Sequence, residues 1–280
     1  MNFGEYQDGK PQQPLPASLV PYESEIDSFF TLCRKTCTRI LTLLALGLEV
    51  FTPYPPLSHH IYIGRKTNAD AKMDPTFFTK AHDPTTGPSG SILRYLYYPS
   101  MHASSTASYQ HDGSDARAGA HSDYGSVTLL FQRMGESGLE IQLPGGDEWA
   151  GVPVCPGGDD SLKREDPAGG GFPPVVVNIG DLLSYWTDGL LKSTMHRVVF
   201  GSGGGQHHEE DHNDRYSIVF FSHPANSIQL TPVPSAIVAA HRKAREDAGA
   251  ELDGAGLEPG KSITASEHLK ARLMATYGFA

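Results

Sequence analysis

The chain has 280 residues and a mass of 30.3 kDa, with 22 basic against 32 acidic side chains and a pI near 5.7. A net charge of −10 excludes the basic footprint of a nucleic-acid-binding protein, and no apolar run approaches the roughly 18 residues of a membrane span. Three cysteines are too few for a disulfide framework, and the polar, proline-bearing stretch Met1–Pro16 lacks the features of a signal peptide, so the expected setting is a reduced, cytoplasmic compartment.

Residues 1–20 read as an extended arm, because Pro11, Pro14 and Pro16 oppose a helix. Tyr22 to Val50 reads as a long helix. Ile26, Phe29, Phe30, Cys33, Cys37, Ile40, Leu41, Leu44 and Leu48 recur at three- and four-residue steps, and Glu23, Glu25 and Asp27 suit its first turns. Cys33 and Cys37 fall one turn apart and are read as core thiols. After Pro53, Pro55 and Pro56, a short helix is expected around Asp74–Lys80 and a strand over Ser91–Tyr98. The Ser-, Gly- and Asp-rich segment 99–118 is expected to be a loop.

Short strands are predicted at 119–123, 126–132, 138–142, 148–153, 174–179, 196–200 and 215–222, punctuated by glycine and proline. Together with 91–98 they indicate a mainly β protein with flanking helices, of the sandwich or barrel kind that includes jelly rolls and cupins. A Gly-rich insertion at 157–173 interrupts them. A second, at 201–214, carries His207, His208 and His212 beside Glu209, Glu210 and Asp211, and is read as a solvated loop. Val238–Ala248 and Ser266–Tyr277 are the C-terminal helices, with Thr264 and Glu267 at capping-box spacing. The order divides the chain into an arm and support helix (1–58), a core (59–235) and C-terminal helices packing on the core (236–280).

The chemistry centres on His121-Ser122-Asp123. Two residues apart on a strand, an imidazole and a carboxylate point to the same face. Taken alone, such a pair is more often a surface contact than a metal site. A third ligand would have to come from elsewhere, and His196 in Thr194-Met195-His196-Arg197-Val198 is the best candidate. Two histidines and one carboxylate with open positions opposite are the ligand set of non-haem Fe(II) oxygenases. Arg215 and Ser217 share a strand face by the same period, on a strand that is apolar beyond them. An enclosed guanidinium needs an anion: either a protein carboxylate or an external one, with Ser217 adding a hydrogen bond.

Four blocks in order resemble the iron(II)/2-oxoglutarate dioxygenases of the isopenicillin N synthase-like superfamily. They are Leu93-Arg94-Tyr95-Leu96-Tyr97-Tyr98-Pro99; Gly119 through Gln132 with Gly138-Leu139-Glu140-Ile141; Val176 through Asp181 and Trp186-Thr187-Asp188-Gly189 to Val198; and Arg215-Tyr216-Ser217. The resemblance implies a double-stranded β-helix, or jelly roll, with the site in its mouth. It implies His121, Asp123 and His196 as iron ligands, with Arg215, Ser217 and Tyr98 holding 2-oxoglutarate. Fe(II), 2-oxoglutarate and O2 would then oxidise a small organic substrate, a secondary metabolite by analogy, by hydroxylation, desaturation or ring closure, releasing succinate and CO2. Asp181 is read as a backbone cap, Gly180 and Gly189 as turn glycines, Trp186 and Phe220 as core, and Arg197 as lying outside the site.

The chain departs from that family in three ways. The region of about a hundred residues, the size of a small domain, that members carry ahead of the support helix is missing. Leu96 stands where several plant members have asparagine. Both insertions lengthen the intervals between the blocks. Two other readings stay open: an isopenicillin N synthase-like oxidase whose Arg215 and Ser217 bind a substrate carboxylate, and a truncated, non-catalytic binding protein.

Overall fold

The computed structural model describes residues 1–7, 10–51, 73–99, 116–156, 173–199, 214–249 and 262–278. The chain begins with β1 (Asn2–Phe3), β2 (Tyr6–Gln7) and β3 (Lys10–Pro11), followed by the helices α1 (Glu23–Gly47) and α2 (Phe77–Ala81). Then come β4 (Ile92–Tyr98), β5 (Ala116–His121), β6 (Val127–Gln132), β7 (Leu139–Gln142), β8 (Trp149–Gly151), β9 (Val176–Ile179) and α3 (Asp181–Trp186). The described chain closes with β10 (His196–Val199), β11 (Arg215–Ser222), α4 (Ala236–Asp247) and α5 (Ala265–Tyr277). The Thr264–Glu267 capping box starts α5 as expected. The insertions with His207, His208 and His212, and most of the loop 99–118, lie outside the described residues. Among those described, no helix is long and apolar enough to cross a membrane.

The strands form a five-stranded antiparallel sheet, β1-β4-β11-β6-β9, a four-stranded sheet, β5-β10-β7-β8, and a small β2-β3 ribbon. The five-stranded sheet has two unlike faces, because side chains alternate across a strand. Its outer face carries Leu93, Val127, Leu129 and Phe220, each at most 1% exposed. These meet the stripe Ile26, Phe30, Cys33, Cys37 and Leu41 of α1. Phe30 stands edge-on to Phe220 at 5.1 Å, and Phe29 meets Phe131 at 5.0 Å. Each such fully buried side chain contributes roughly 1.5–3 kcal/mol.

The inner face is different. Strand register places Tyr98 opposite Arg215, Ser217 opposite Gln132, and Thr128 opposite both Phe221 and Asn178. Arg215, Ser217, Gln132 and Thr128 are all buried. A face this polar is expensive to bury unless something satisfies it, and it forms one wall of the candidate site.

Three expectations need correction. The strand predicted over 119–123 ends at His121, because the next residues turn to bond the start of α3. The helix α3 itself was not anticipated: six residues are too few for a helical period to show. The arm 1–20 also does more than extend, since β1 pairs with β4 and buries Phe3.

Candidate metal centre and anion pocket

His121 and His196 are paired directly across β5 and β10, with ring centroids 4.4 Å apart. Asp123 arrives from the turn after β5, and its Oδ1 lies 3.7 Å from His196 Nε2. The ligand atoms of all three residues fall within 4.8 Å of one another, the group of this kind that comes together among the described residues. His121 Nδ1 lies 2.8 Å from the Gly119 carbonyl and His196 Nδ1 lies 3.0 Å from the Thr194 carbonyl. A carbonyl only accepts, so both Nδ1 atoms carry the proton, and in the neutral imidazoles Nε2 is the atom with the lone pair. Asn178 donates to Asp123 Oδ2 at 2.7 Å, which leaves Oδ1 directed at the histidines.

The turn that carries Asp123 is held from three sides. The Asp181 amide donates to the Asp123 carbonyl at 2.6 Å, and the Leu182 amide to that of Gly125 at 3.1 Å. Behind them, Ser122 donates to the Asp181 carboxylate at 3.0 Å, and Arg272 of α5 pairs with that carboxylate at 2.7 Å. Tyr124 reaches Thr276 of the same helix at 2.8 Å. A Cβ on Gly180 would stand 2.3 Å from the Gly125 carbonyl oxygen. Gly180 is therefore required by close approach, not by a turn, whereas Gly189, at φ 78°, is the turn glycine expected. Asp181 does not cap α3 with its side chain; its carboxylate serves the ion pair with Arg272.

At the other end of the polar face, Arg215 is 2% exposed. Its guanidinium contacts are neutral: Nη1 to Ser217 Oγ at 3.4 Å, Nη2 to Gln132 Oε1 at 3.2 Å, and the Tyr98 ring at 5.6 Å. No carboxylate pairs with it among the described residues. Burial pulls its pKa below the ordinary arginine value, with Tyr98 and Glu136 acting the other way. Arg215 Nε, Gln132 Nε2 and Thr128 Oγ1 are buried without a hydrogen-bond partner among the described residues. Such donor atoms suit an anion rich in lone pairs, and two imidazoles with a carboxylate suit Fe(II). The residues present thus fit both groups.

The structure brings together His121, Asp123 and His196, and separately Arg215, Ser217 and Tyr98. Trp186 and Phe220 are core residues as read. Arg197 faces away, ion-paired to Glu140 at 2.7 Å and stacked on Trp149 at 4.2 Å. Gln132, Asn178 and Arg272 went unseen in the sequence. For Gln132 a signal existed: it ends an apolar strand two steps beyond Leu130, on the face of Thr128. Arg272, some 90 positions from Asp181, gave none.

Residues 89–224 match the model of the 2OG-Fe(II) oxygenase superfamily. The chain is 29% identical over 278 residues to the clavatol oxidase claD of Penicillium crustosum, covering 98% of this chain and 60% of the relative. It is 30% identical over 219 residues to the 2-oxoglutarate-dependent dioxygenase htyE of Aspergillus rugulosus, covering 78% of this chain and 55% of that protein. The chain thus spans little more than half the length of these curated relatives. A solved full-length Neurospora crassa protein in complex with alpha-KG superposes with a TM-score of 0.65 at 27% identity, over 99% of this chain and 64% of that one. With a core segment that matches the family model, relatives along nearly the whole chain and a superposable fold, this chain is similar to the proteins of the 2OG-Fe(II) oxygenase superfamily.

Proposed function

We propose that the chain is the core of an Fe(II)- and 2-oxoglutarate-dependent dioxygenase that oxidises a small organic molecule. His121, Asp123 and His196 hold the metal, and Arg215, Ser217 and Tyr98 hold the distal carboxylate of 2-oxoglutarate. One observation carries this reading. A two-histidine, one-carboxylate group with both Nε2 atoms free lies beside the same polar sheet face whose far end buries a guanidinium among neutral groups.

When bound, Fe(II), 2-oxoglutarate and O2 supply oxidation of a substrate C–H bond, with the cosubstrate converted to succinate and CO2. The chain's own share is placement. The Nδ1–carbonyl bonds fix the ligating tautomers, Asn178 fixes which carboxylate oxygen faces the histidines, and Arg215 fixes the far end of the cosubstrate. From the Asn178–Thr128 row to the Ser217–Gln132 row is four residues along β6, roughly 13 Å of backbone, so a ligand with an anionic group at each end suits the face.

On this reading the two sheets are the halves of a double-stranded β-helix, a cupin-like jelly roll, supported by their antiparallel pairing and the superposition on the Neurospora crassa structure. Residues 59–235 are the oxygenase core, 1–58 the arm and support helix, and 236–280 the C-terminal helices on the core. A secondary metabolite as substrate, with hydroxylation, desaturation or ring closure as outcome, rests on fungal relatives such as claD and htyE. Three free cysteines support a cytoplasmic setting.

The test is anaerobic addition of Fe(II) and then 2-oxoglutarate, followed by visible absorbance. A chelated 2-oxo acid on iron gives a charge-transfer band, expected here to saturate near stoichiometry. Iron binding without the band would favour an oxidase that uses Arg215 and Ser217 for a substrate carboxylate. Failure to bind iron would remove the metal reading.

A further inference from the structure

Gln132 ends β6 opposite Ser217 and is 7% exposed. Its amide oxygen accepts from Arg215 Nη2 at 3.2 Å. The opposite amide orientation would set an N–H donor against a guanidinium donor, so chemistry fixes Oε1 on Arg215. The amide nitrogen is then committed away from Arg215, and it is buried with no hydrogen-bond partner among the described residues. Arg215 Nε is in the same condition. Ser217 Oγ accepts from Arg215, which leaves its own hydrogen to donate. Among the described residues, the surroundings of Arg215 are therefore short of acceptors and supplied with donors.

We propose that Gln132 is a selectivity-determining binding residue of this pocket. Its amide nitrogen donates to the distal carboxylate of 2-oxoglutarate, and its amide oxygen holds Arg215 in place without neutralising it. The inference rests on the 2-oxoglutarate reading above. What matters is that the side chain is an amide and not an acid. A glutamate at the same position would accept from Arg215 over the same distance and pair with it internally, so the guanidinium would be satisfied before any ligand arrived. A neutral amide keeps the positive charge available.

The test is calorimetric titration of the full chain, loaded with Mn(II) as a redox-inert stand-in, with 2-oxoglutarate, together with melting curves. Gln132→Glu is expected to weaken 2-oxoglutarate by about 100-fold or more while melting no lower than the wild type. Gln132→Leu, which loses one hydrogen bond to a charged group, is expected to weaken it by about tenfold. Mn(II) affinity should be unchanged in both. A purely structural role would instead lower stability and binding together, with Glu no worse than Leu. Wild-type affinity in the Gln132→Glu variant would overturn the assignment and leave the 2-oxoglutarate reading standing. No saturable 2-oxoglutarate binding to the wild type would remove both.

Discussion

The two ends of the polar face follow opposite rules. At the proposed metal end the candidate ligands are tied down: both Nδ1 atoms bond carbonyls, Asn178 bonds Asp123, and the turn is fastened to α3 and α5. At the proposed anion end, buried donors on Arg215, Gln132 and Thr128 have no acceptor among the described residues. The difference follows from what each ligand brings. A metal ion has no hydrogen bonds to give, so the protein must fix its donors beforehand. A carboxylate brings four lone-pair sites of its own, so the protein leaves donors waiting.

The largest effects should separate the ends cleanly. Asp123→Ala is expected to abolish metal binding at micromolar metal. Arg215→Ala should leave the metal bound and weaken 2-oxoglutarate on the order of 100-fold, the loss of charge-assisted bonds. Metal analysis and calorimetry check both. If either variant lost both ligands to the same degree, the ends would have to be treated as one unit.

A smaller effect tests whether the metal end is set by its scaffold. Gly180→Ala touches no ligand, yet its Cβ would meet the backbone of Gly125 at 2.3 Å. We expect a stability loss of about 2–3 kcal/mol and a fall in metal affinity of about tenfold, read from denaturant melts and metal titration. Unchanged metal affinity in a folded variant would show that the turn has slack.

A separate effect, on stability and not on either ligand, is acid dependence. His82 Nε2 lies 2.9 Å from Ser126 Oγ, and His223 lies against Gly125. Burial pushes His82 down to about 4 and His268 to about 4, and, with repulsion from His268 and His82, His223 to about 3. The unfolded chain takes up these protons near pH 6.5, while the native state refuses them until about pH 4 and, at His223, about pH 3. Stability is therefore full above about pH 6.5 and is lost progressively as the pH falls toward 4. Melting temperatures of metal-free protein across that window check the sign; a flat profile would mean that water reaches these rings.

The sequence carried the site further than the scaffold. Period two placed Arg215 and Ser217 on one face, and their buried–exposed–buried pattern with Tyr216 agrees. The same rule brought His121 and Asp123 together although β5 stops at His121, because the turn continues to direct Asp123 inward under the Asp181 amide. What stayed hidden depends on distant partners. Asp181 looks like a local cap until Arg272 is folded against it, and Gly180 looks like a turn residue until Gly125 is placed beside it. Periodicity describes one strand at a time, and these roles arise between segments far apart in the chain.

The arm at the edge of the five-stranded sheet has a consequence for assembly. β4 carries two adjacent tyrosines, and only Tyr98 faces Arg215. A one-residue slip of β4 would present Tyr97 to the pocket, a chemically similar ring, while turning Leu93 out of the core. Such an error would be hard to detect at the pocket itself. β1 reads it elsewhere: Phe3 pairs with Leu93 and meets Tyr95 edge-on at 4.7 Å, and Asn2 takes the Arg94 Nε–H at 2.7 Å. A slipped strand would offer these two residues the wrong side chains. The two-residue strand thus proofreads the alternation of its neighbour, and it covers an edge that would otherwise be a template for aggregation.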